Sequence, residues 1–284
     1  VILYSGTPLQ IVVQQMFSGL NNYVLLAIPF FIVSGTIASR GSTSKYLCQV
    51  MTIIFGRMRG GSVIAAVAAC AFFAAISGSS FATIVAIGSI MLPSLKEQEF
   101  PDEMSIGCIT AGGSIGVLIP PSAPMIALCV ALGSSVGRQF MAGVVPGLIL
   151  ALAWGVYTYV VCSIKKYGKP IRYSFSEAKG IIFKAIPALL YPVIILGSIY
   201  GGLATPTESA AISIVYVILV ELFVYRTTSF KDLFNAFKNS LVNSAGITFI
   251  ISASQLLTWF ITTQRLPAII SDWIVTTITS PTVF

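Results

Sequence analysis

The sequence contains no histidine, and only 9% of its 284 residues are charged. Without histidine, the chain can form neither a histidine-ligated metal site nor a Ser-His-Asp triad. Soluble domains carry about 25% charged residues, whereas 56% of this chain is hydrophobic and its mean hydropathy is +0.93. The composition therefore predicts an all-α polytopic membrane protein whose surface mostly faces lipid.

Cysteines are few and never paired in sequence. Because they occur singly in apolar segments, with no CxxC motif, we interpret them as small buried hydrophobic residues rather than redox groups. They are Cys48, Cys70, Cys108, Cys129 and Cys162.

The net charge of +7 does not indicate a nucleic-acid partner, because the Lys and Arg residues form no patch interleaved with aromatic residues. They occupy short loops between apolar spans, as the positive-inside rule predicts for cytoplasmic loops. Beside two interrupted segments, the predicted spans are 23–38, 141–164, 186–200, 207–225 and 241–262.

The first interrupted segment, residues 62–95, is apolar except for Ser77-Gly78-Ser79-Ser80 at its centre. Each arm has about 15 residues, or about 22 Å of helix, which is shorter than the ~30 Å hydrocarbon core. The arms therefore form either one long tilted span or a re-entrant helical hairpin. In the hairpin, every Lys and Arg except Arg138 and Arg265 falls on one side of the membrane. A single span would place the basic residues between positions 40 and 59 opposite the later basic loops, so the charge pattern favours the hairpin.

A break at this depth must be buried in protein or line a wet cavity, because lipid cannot satisfy free backbone groups. The carbonyl end of the first arm suits a sodium ion, and the amide end of the second suits an anion. Gly78 allows a tight turn and a close approach to a ligand. The alternative is a helix-packing seam of small residues.

The second interrupted segment, residues 104–135, contains glycines, prolines and serines close together in its middle. This composition predicts a discontinuous helix rather than a simple proline kink. Two breaks in neighbouring segments favour a transporter site. The residues are Gly112, Gly113, Ser114, Gly116, Pro120, Pro121, Ser122 and Pro124.

Residues 205–208, Thr-Pro-Thr-Glu, fit a helix capping box, with Thr205 as N-cap, Pro206 at the first helical position and Glu208 at the third. We favour this structural cap over a substrate role for Glu208.

Other acids are scarce in the apolar segments. We expect Glu221, close to Arg226, to snorkel or to contact a partner subunit rather than to relay protons. Asp272 lies too near the end of the chain to be interpreted. A membrane-embedded enzyme is disfavoured, because the apolar segments hold no paired carboxylates and no nucleophile with a base.

These motifs resemble those of the large membrane subunit of tripartite ATP-independent periplasmic (TRAP) transporters, the DctM-like family. The similarity runs along nearly the whole chain, through "LLAIPFFIVSGTIASRG", "FFAAISGSSFAT", "GGSIGVLIPPSAPMI", "FMAGVVPGLILAL", "PALLYPVIILGSIYGGLATPTESAA" and "LFVYRTTSF". The resemblance implies an elevator-type transporter with inverted repeats in the bacterial inner membrane. It also implies sodium-driven import of organic acids such as C4-dicarboxylates or sialic acid, with no cofactor other than the coupling sodium ions. The implied partners are a small four-helix membrane subunit and a periplasmic substrate-binding protein.

The resemblance further implies a division of the chain. Residues 1–61 would form a scaffold helix and amphipathic arm, and 62–136 the first repeat of a transport domain (hairpin 62–95, broken helix 104–135). Residues 137–262 would form connecting and scaffold helices, and 263–284 the start of a second repeat. We expect both ends to be truncated, with a second hairpin and a second broken helix beyond Phe284.

The sodium and substrate site implied by the resemblance lies where the hairpin tip faces the broken helix. Sodium would be bound by Ser77, Ser79 and backbone carbonyls near Gly112 to Gly116. The implied site residues are Ser77, Gly78, Ser79, Ser80, Gly112, Ser114, Gly116, Pro120, Pro121 and Ser122.

Two other interpretations remain beside this one. A sodium/dicarboxylate elevator that works without a binding protein is the alternative transporter. A purely structural subunit is disfavoured, because two unused polar breaks would each cost several kcal/mol.

A faint similarity between residues 28–51 and 247–274 is typical of an inverted repeat.

Overall fold

A computed structural model describes residues 8–171 and 173–277. The terminal parts of the predicted segments 1–61 and 263–284, and the basic residue Arg172, lie outside the described residues. Over the described ranges the chain is built from helices joined by short connections. The α-helices are α1 Leu9–Leu20, α2 Ala27–Arg40, α3 Ser42–Phe55, α4 Gly61–Ser77, α5 Ser80–Glu97, α6 Asp102–Ser114, α7 Ala123–Leu132, α8 Val136–Lys165, α9 Phe175–Tyr200, α10 Pro206–Leu219, α11 Phe230–Thr263 and α12 Leu266–Thr277.

Five of the described helical segments are long and apolar enough to cross a membrane. Each overlaps one of the five uninterrupted spans predicted from the sequence, so the expectation of an all-α polytopic membrane protein is confirmed. The segments are Tyr23–Arg40, Val136–Lys165, Phe175–Tyr200, Pro206–Tyr225 and Phe230–Thr263.

The chain forms two compact units. The larger comprises Tyr23–Ser244, and the smaller comprises residues 1–22 and 245–284, of which 8–22 and 245–277 are described. Within the smaller unit, α1 packs on the C-terminal half of α11, because the hydroxyl of Ser252 donates to the carbonyl of Met16 at 2.9 Å.

The core of the larger unit is α4. Every residue of this helix except Ala68 and Phe72 is buried, because α4 lies among α2, α3, α5, α6 and α8. Its small residues allow this close packing on several sides. By contrast, α8 exposes large apolar side chains such as Leu152 and Ile164, as a lipid-facing helix does.

The arms α4 and α5 form a helical hairpin. Its base is closed by a hydrogen bond in which the hydroxyl of Ser62, at the start of α4, donates to Oε1 of Gln98, just after α5, at 2.6 Å. The chain therefore returns to the end from which it entered, and the predicted range 62–95 falls within these two helices.

The loops that carry many of the basic residues gather at this same end. The amide of Ile171 donates to the carbonyl of Gly56 at 2.8 Å, which joins the loop after α8 to the loop after α3. Gly168 lies against the ring of Phe100, in the loop after α5. The predicted sidedness requires this grouping.

Candidate functional site

The tip of the hairpin is a two-residue connection between α4 and α5. Gly78 has φ +61° and ψ +11°, and its amide donates to the carbonyl of Ala74 at 3.0 Å, which ends α4. Ser79 is extended, and its hydroxyl caps α5 by accepting from the amide of Ala82 at 3.4 Å. A left-handed glycine followed by a serine N-cap explains why the chain leaves one helix and enters the next within two residues.

Buried hydroxyl groups brace the tip from inside. The hydroxyls of Ser77 and Thr83 lie 2.9 Å apart, and the Thr83 hydroxyl donates to the carbonyl of Ser79 at 2.9 Å. Sequence reasoning missed Thr83, although its position four residues after Ser79 on a new helix was a usable signal. The Ser80 hydroxyl oxygen is buried and has no hydrogen-bond partner among the described residues.

The second break separates α6 from α7. After Ser114 the chain makes one 3₁₀ turn, Ile115–Val117, and then runs through two buried prolines to the N-cap of α7. That N-cap, Ser122, is fully buried, and its hydroxyl donates back to the carbonyl of Val117 at 2.7 Å. This bond holds the two ends of the break together.

The structure brings the two breaks into contact. The amide of Ala123, the first residue of α7, donates to the carbonyl of Gly78 at 3.3 Å. A Cβ on Gly78 would lie 2.9 Å from the carbonyl oxygen of Pro121, and one on Gly116 would lie 3.4 Å from the amide nitrogen of Ser80. Glycine at both positions therefore permits this close approach.

Two of the predicted site residues lie apart from this contact. Gly112 packs against the side chain of Cys70, deeper along α4, where an added Cβ would be 3.2 Å away. The hydroxyl of Ser114 is exposed and donates to the carbonyl of Ala111 in its own helix. The remaining predicted residues, Ser77, Gly78, Ser79, Ser80, Gly116, Pro120, Pro121 and Ser122, surround the meeting point or flank it in sequence.

A third element reaches the tip from α2. A Cβ on Gly35 would lie 2.4 Å from the Cα of Ser77, so the two backbones touch. Sequence reasoning missed Gly35, because a single glycine in an apolar helix gives no sign of what it faces.

The Thr205 cluster forms a capping box at the start of α10. The amide of Thr205 donates to Oε2 of Glu208 at 2.7 Å, and the amide of Glu208 donates to the hydroxyl of Thr205 at 3.3 Å. Pro206 occupies the first helical position. Glu208 is therefore engaged in its own helix end.

The expectation that Glu221 snorkels is wrong. This side chain is fully buried in a π-helical segment, Val220–Tyr225, and its carboxylate accepts hydrogen bonds from the chain itself. The donors are the amides of Ser42 and Thr43 and the hydroxyls of Thr43 and Thr227. Glu221 therefore caps the N-terminus of α3. Asp272 is exposed on α12.

Known proteins resemble this chain over its whole length. The family model described as "Tripartite ATP-independent periplasmic transporter, DctM component" matches residues 1–284. The C4-dicarboxylate TRAP transporter large permease protein DctM of Pseudomonas aeruginosa is 38% identical over 284 residues, covering 100% of this chain and 66% of that protein.

Relatives named for other substrates are also similar. The ectoine TRAP transporter large permease protein TeaC of Halomonas elongata is 30% identical over 264 residues, covering 93% of this chain and 62% of that protein. The sialic acid TRAP transporter large permease protein SiaM of Vibrio cholerae is 29% identical over 282 residues, covering 99% and 66%. The chain thus spans about two thirds of the length of these relatives.

The resemblance inferred from the motifs is confirmed by the match along the full chain. Members of the matched family are transporter permeases of the bacterial inner membrane rather than enzymes, and the five apolar helices agree with that location. The chain belongs to the DctM component family of tripartite ATP-independent periplasmic transporters.

Proposed function

We propose that this chain is part of a sodium-coupled permease that imports organic acids, and that the meeting point of the two breaks forms half of its ion and substrate site. The observation that carries the proposal is the hydrogen bond from the amide of Ala123 to the carbonyl of Gly78. It joins two interrupted helices at the place where each exposes backbone polar groups, and membrane proteins retain such groups where a ligand uses them.

The carbonyl groups at the end of α4, where the two breaks meet, suit a sodium ion. A helix leaves its last four carbonyls without helical donors. At the end of α4, the amide of Gly78 donates to only one of these, the carbonyl of Ala74. The remaining carbonyls at the end of α4, together with the Ser77 and Ser79 hydroxyl oxygens, offer neutral oxygen ligands for a hard cation. On the facing break, the backbone near Gly116 lies against the hairpin tip, whereas Gly112 lies apart from it and its carbonyl accepts from the amide of Ile115.

The amide groups at the start of α5 suit an anion. The N-terminus of α5 carries a partial positive charge, and a carboxylate is stabilised at such a helix end. The hydroxyl of Ser80 is buried there without a partner among the described residues and can donate to a carboxylate oxygen. A site of this kind binds an organic acid without a basic side chain.

This chemistry and the names of several relatives support a carboxylate-bearing substrate. Three relatives that are 36–38% identical are named as C4-dicarboxylate permeases, and another is named for sialic acid. Each of these substrates carries a carboxylate. A further relative, 33% identical, is named for isethionate, whose acid group is a sulfonate. Carboxylate-bearing organic acids are the substrate class we propose.

The transport cycle would be of the elevator type, in which the hairpin and the broken helix move as one body against a scaffold. The closed hairpin base and the packing of α6 on both hairpin arms support a common movement of these three helices, and the contacts of α4 with α2 and α3 would have to rearrange during it. In this scheme a small four-helix membrane subunit completes the scaffold, a periplasmic binding protein delivers the acid, and an inverted second repeat supplies the other half of the site.

The experiment measures uptake of labelled succinate and sialic acid into proteoliposomes that contain the full-length permease, its small subunit and its binding protein. Uptake is compared between an inward sodium gradient and an equal potassium gradient. We expect uptake to require sodium, Gly78→Ala to lower it at least tenfold, and Ser80→Ala to raise the substrate concentration needed for half-maximal uptake.

The matched control is Ser89→Ala, which removes an exposed hydroxyl from the same helix α5. This variant should keep full uptake. Equal uptake in potassium would contradict sodium coupling. Full uptake by both tip variants would show that the tip is a packing seam.

A further inference from the structure

A cavity of about 490 Å³ lies between α3 and the N-terminal part of α9, outside the site at the hairpin tip. Its volume is within the range of small-molecule sites, roughly 300–1,000 Å³. The lining residues are Lys45, Tyr46, Gln49, Tyr173, Glu177, Gly180, Ile181 and Lys184.

The walls of this cavity are held by contacts on both helices. The ring of Tyr46 packs on that of Tyr225, with centroids 4.8 Å apart, and the Tyr225 hydroxyl donates to the carbonyl of Lys184 at 2.9 Å. These contacts tie the α3 wall to the α9 wall. The cavity is therefore an open groove whose two walls are held together by these contacts.

The lining suits a phosphate diester. Lys45 and Lys184 are exposed at their side chains, so two ammonium groups border the cavity from opposite helices. Gln49, Tyr46 and Tyr173 add neutral hydrogen-bonding groups. Burial and the nearby carboxylate of Glu177 raise the pKa of the Tyr173 phenol, which keeps it protonated as a donor.

The one acid in the lining is already engaged. Oε2 of Glu177 accepts from the amide of Ser174 at 3.0 Å, in the capping box that begins α9. Its charge is therefore turned toward the helix end, where a carboxylate is favourable.

The position of the cavity points to the membrane interface. It lies where α9 begins as an apolar span, and beyond it this helix exposes Leu190 and Val193. The loops after α3 and α8, which hold further basic residues, gather at the end where α9 starts. Basic pockets between membrane helices on the cytoplasmic side bind the headgroups of anionic lipids.

We propose that this cavity binds the headgroup of an anionic phospholipid, with its phosphate between Lys45 and Lys184 and its acyl chains along the apolar surface of α9. A lipid seated there holds the arm helix α3 against α9.

The experiment titrates the detergent-purified, delipidated full-length permease complex with phosphatidylglycerol or phosphatidylcholine and counts bound lipid by native mass spectrometry. We expect phosphatidylglycerol to bind at least tenfold more tightly than phosphatidylcholine. Lys45→Gln and Lys184→Gln should each weaken phosphatidylglycerol binding about fivefold, as expected for one basic residue near the membrane surface.

The matched control is Lys179→Gln, since Lys179 is an exposed lysine of α9 that does not line the cavity. It should change the affinity less than twofold, and the lipid-free unfolding midpoints of all three variants should match that of the wild type. Equal binding of the two lipids, or equal effects of all three substitutions, would overturn the proposal. Displacement of phosphatidylglycerol by millimolar inorganic phosphate would assign the cavity to free phosphate and overturn the lipid assignment.

Discussion

Glu221 caps a helix from a distant part of the chain: its Oε1 lies 2.9 Å from the amide nitrogen of Thr43 and 2.6 Å from the Thr43 hydroxyl. The N-cap residue of α3 is Gly41, which has no side chain to do this. A buried carboxylate next to a helix N-terminus, with several donors, is well satisfied without a cation. The bond ties the arm α3 to the end of α10, where the helix widens into a π-helical segment.

Glu221→Ala should lower the free energy of unfolding by about 3 kcal/mol, because it leaves buried amides and hydroxyls without an acceptor. Glu221→Gln should lower it less, since one carbonyl oxygen remains. The measurement is an unfolding titration in detergent followed by circular dichroism. Glu208→Ala, which removes an exposed capping carboxylate, is the control and should have a smaller effect; equal losses would contradict the assigned role of Glu221.

Gly41→Ala should also destabilise the protein, by about 2 kcal/mol, as overpacking in a buried region does. An added Cβ would lie 2.1 Å from Cδ of Glu221, so the carboxylate would have to leave its donors. Because both substitutions break the same contacts, the double variant with Glu221→Ala should lose less than the sum of the single losses. The same titration tests this, and strict additivity would count against the shared contact.

Gly35→Ala should impair both stability and uptake. Its Cβ would lie 2.4 Å from the Cα of Ser77, and backbone atoms cannot give way as a flexible side chain can. We expect a loss of about 1–3 kcal/mol and reduced sodium-driven uptake in proteoliposomes, since the hairpin tip would be displaced. Gly197→Ala on α9, where nothing lies within 4 Å of an added Cβ, should keep full uptake and should not lower the stability.

Two glycines of α6 should respond in opposite directions. A Cβ on Gly113 would lie 2.2 Å from Cγ1 of Ile84 on the second hairpin arm, so Gly113→Ala should lower the melting midpoint. Gly107 has nothing within 4 Å, and Gly107→Ala should raise the midpoint, because alanine is favoured over glycine within a helix by roughly 0.5–1 kcal/mol. Midpoints that shift in the same direction would contradict the packing of α6 on the hairpin.

The parts of the site that depend on consecutive residues could be predicted from the sequence. The run Ser77-Gly78-Ser79-Ser80 contains its own helix stop and helix start, and the two prolines at 120 and 121 interrupt a helix by themselves. The capping box at Thr205 is equally local. The charge pattern added one long-range inference, the return of the hairpin to its own side, because sidedness depends on all basic loops together.

Contacts between distant positions could not be predicted in this way. Glu221 near Arg226 looked like a residue that reaches toward water, whereas its partners lie at the start of α3. Gly35 looked like any small residue of an apolar helix, although it touches the hairpin tip. The inverted repeat, the elevator movement and the sodium ligands remain predictions, because they concern a second repeat and a cycle of states.

The hydrogen bond from the Ala123 amide to the Gly78 carbonyl gives the two breaks different roles. Of the first three residues of α7, Ala123 has its amide held by the hairpin and Pro124 has none. The start of α7 is therefore largely closed to an anion, whereas at the start of α5 the N-cap Ser79 takes only the amide of Ala82 and leaves those of Ser80 and Phe81. The hairpin tip would thus bind the organic acid, and the broken helix would support the hairpin.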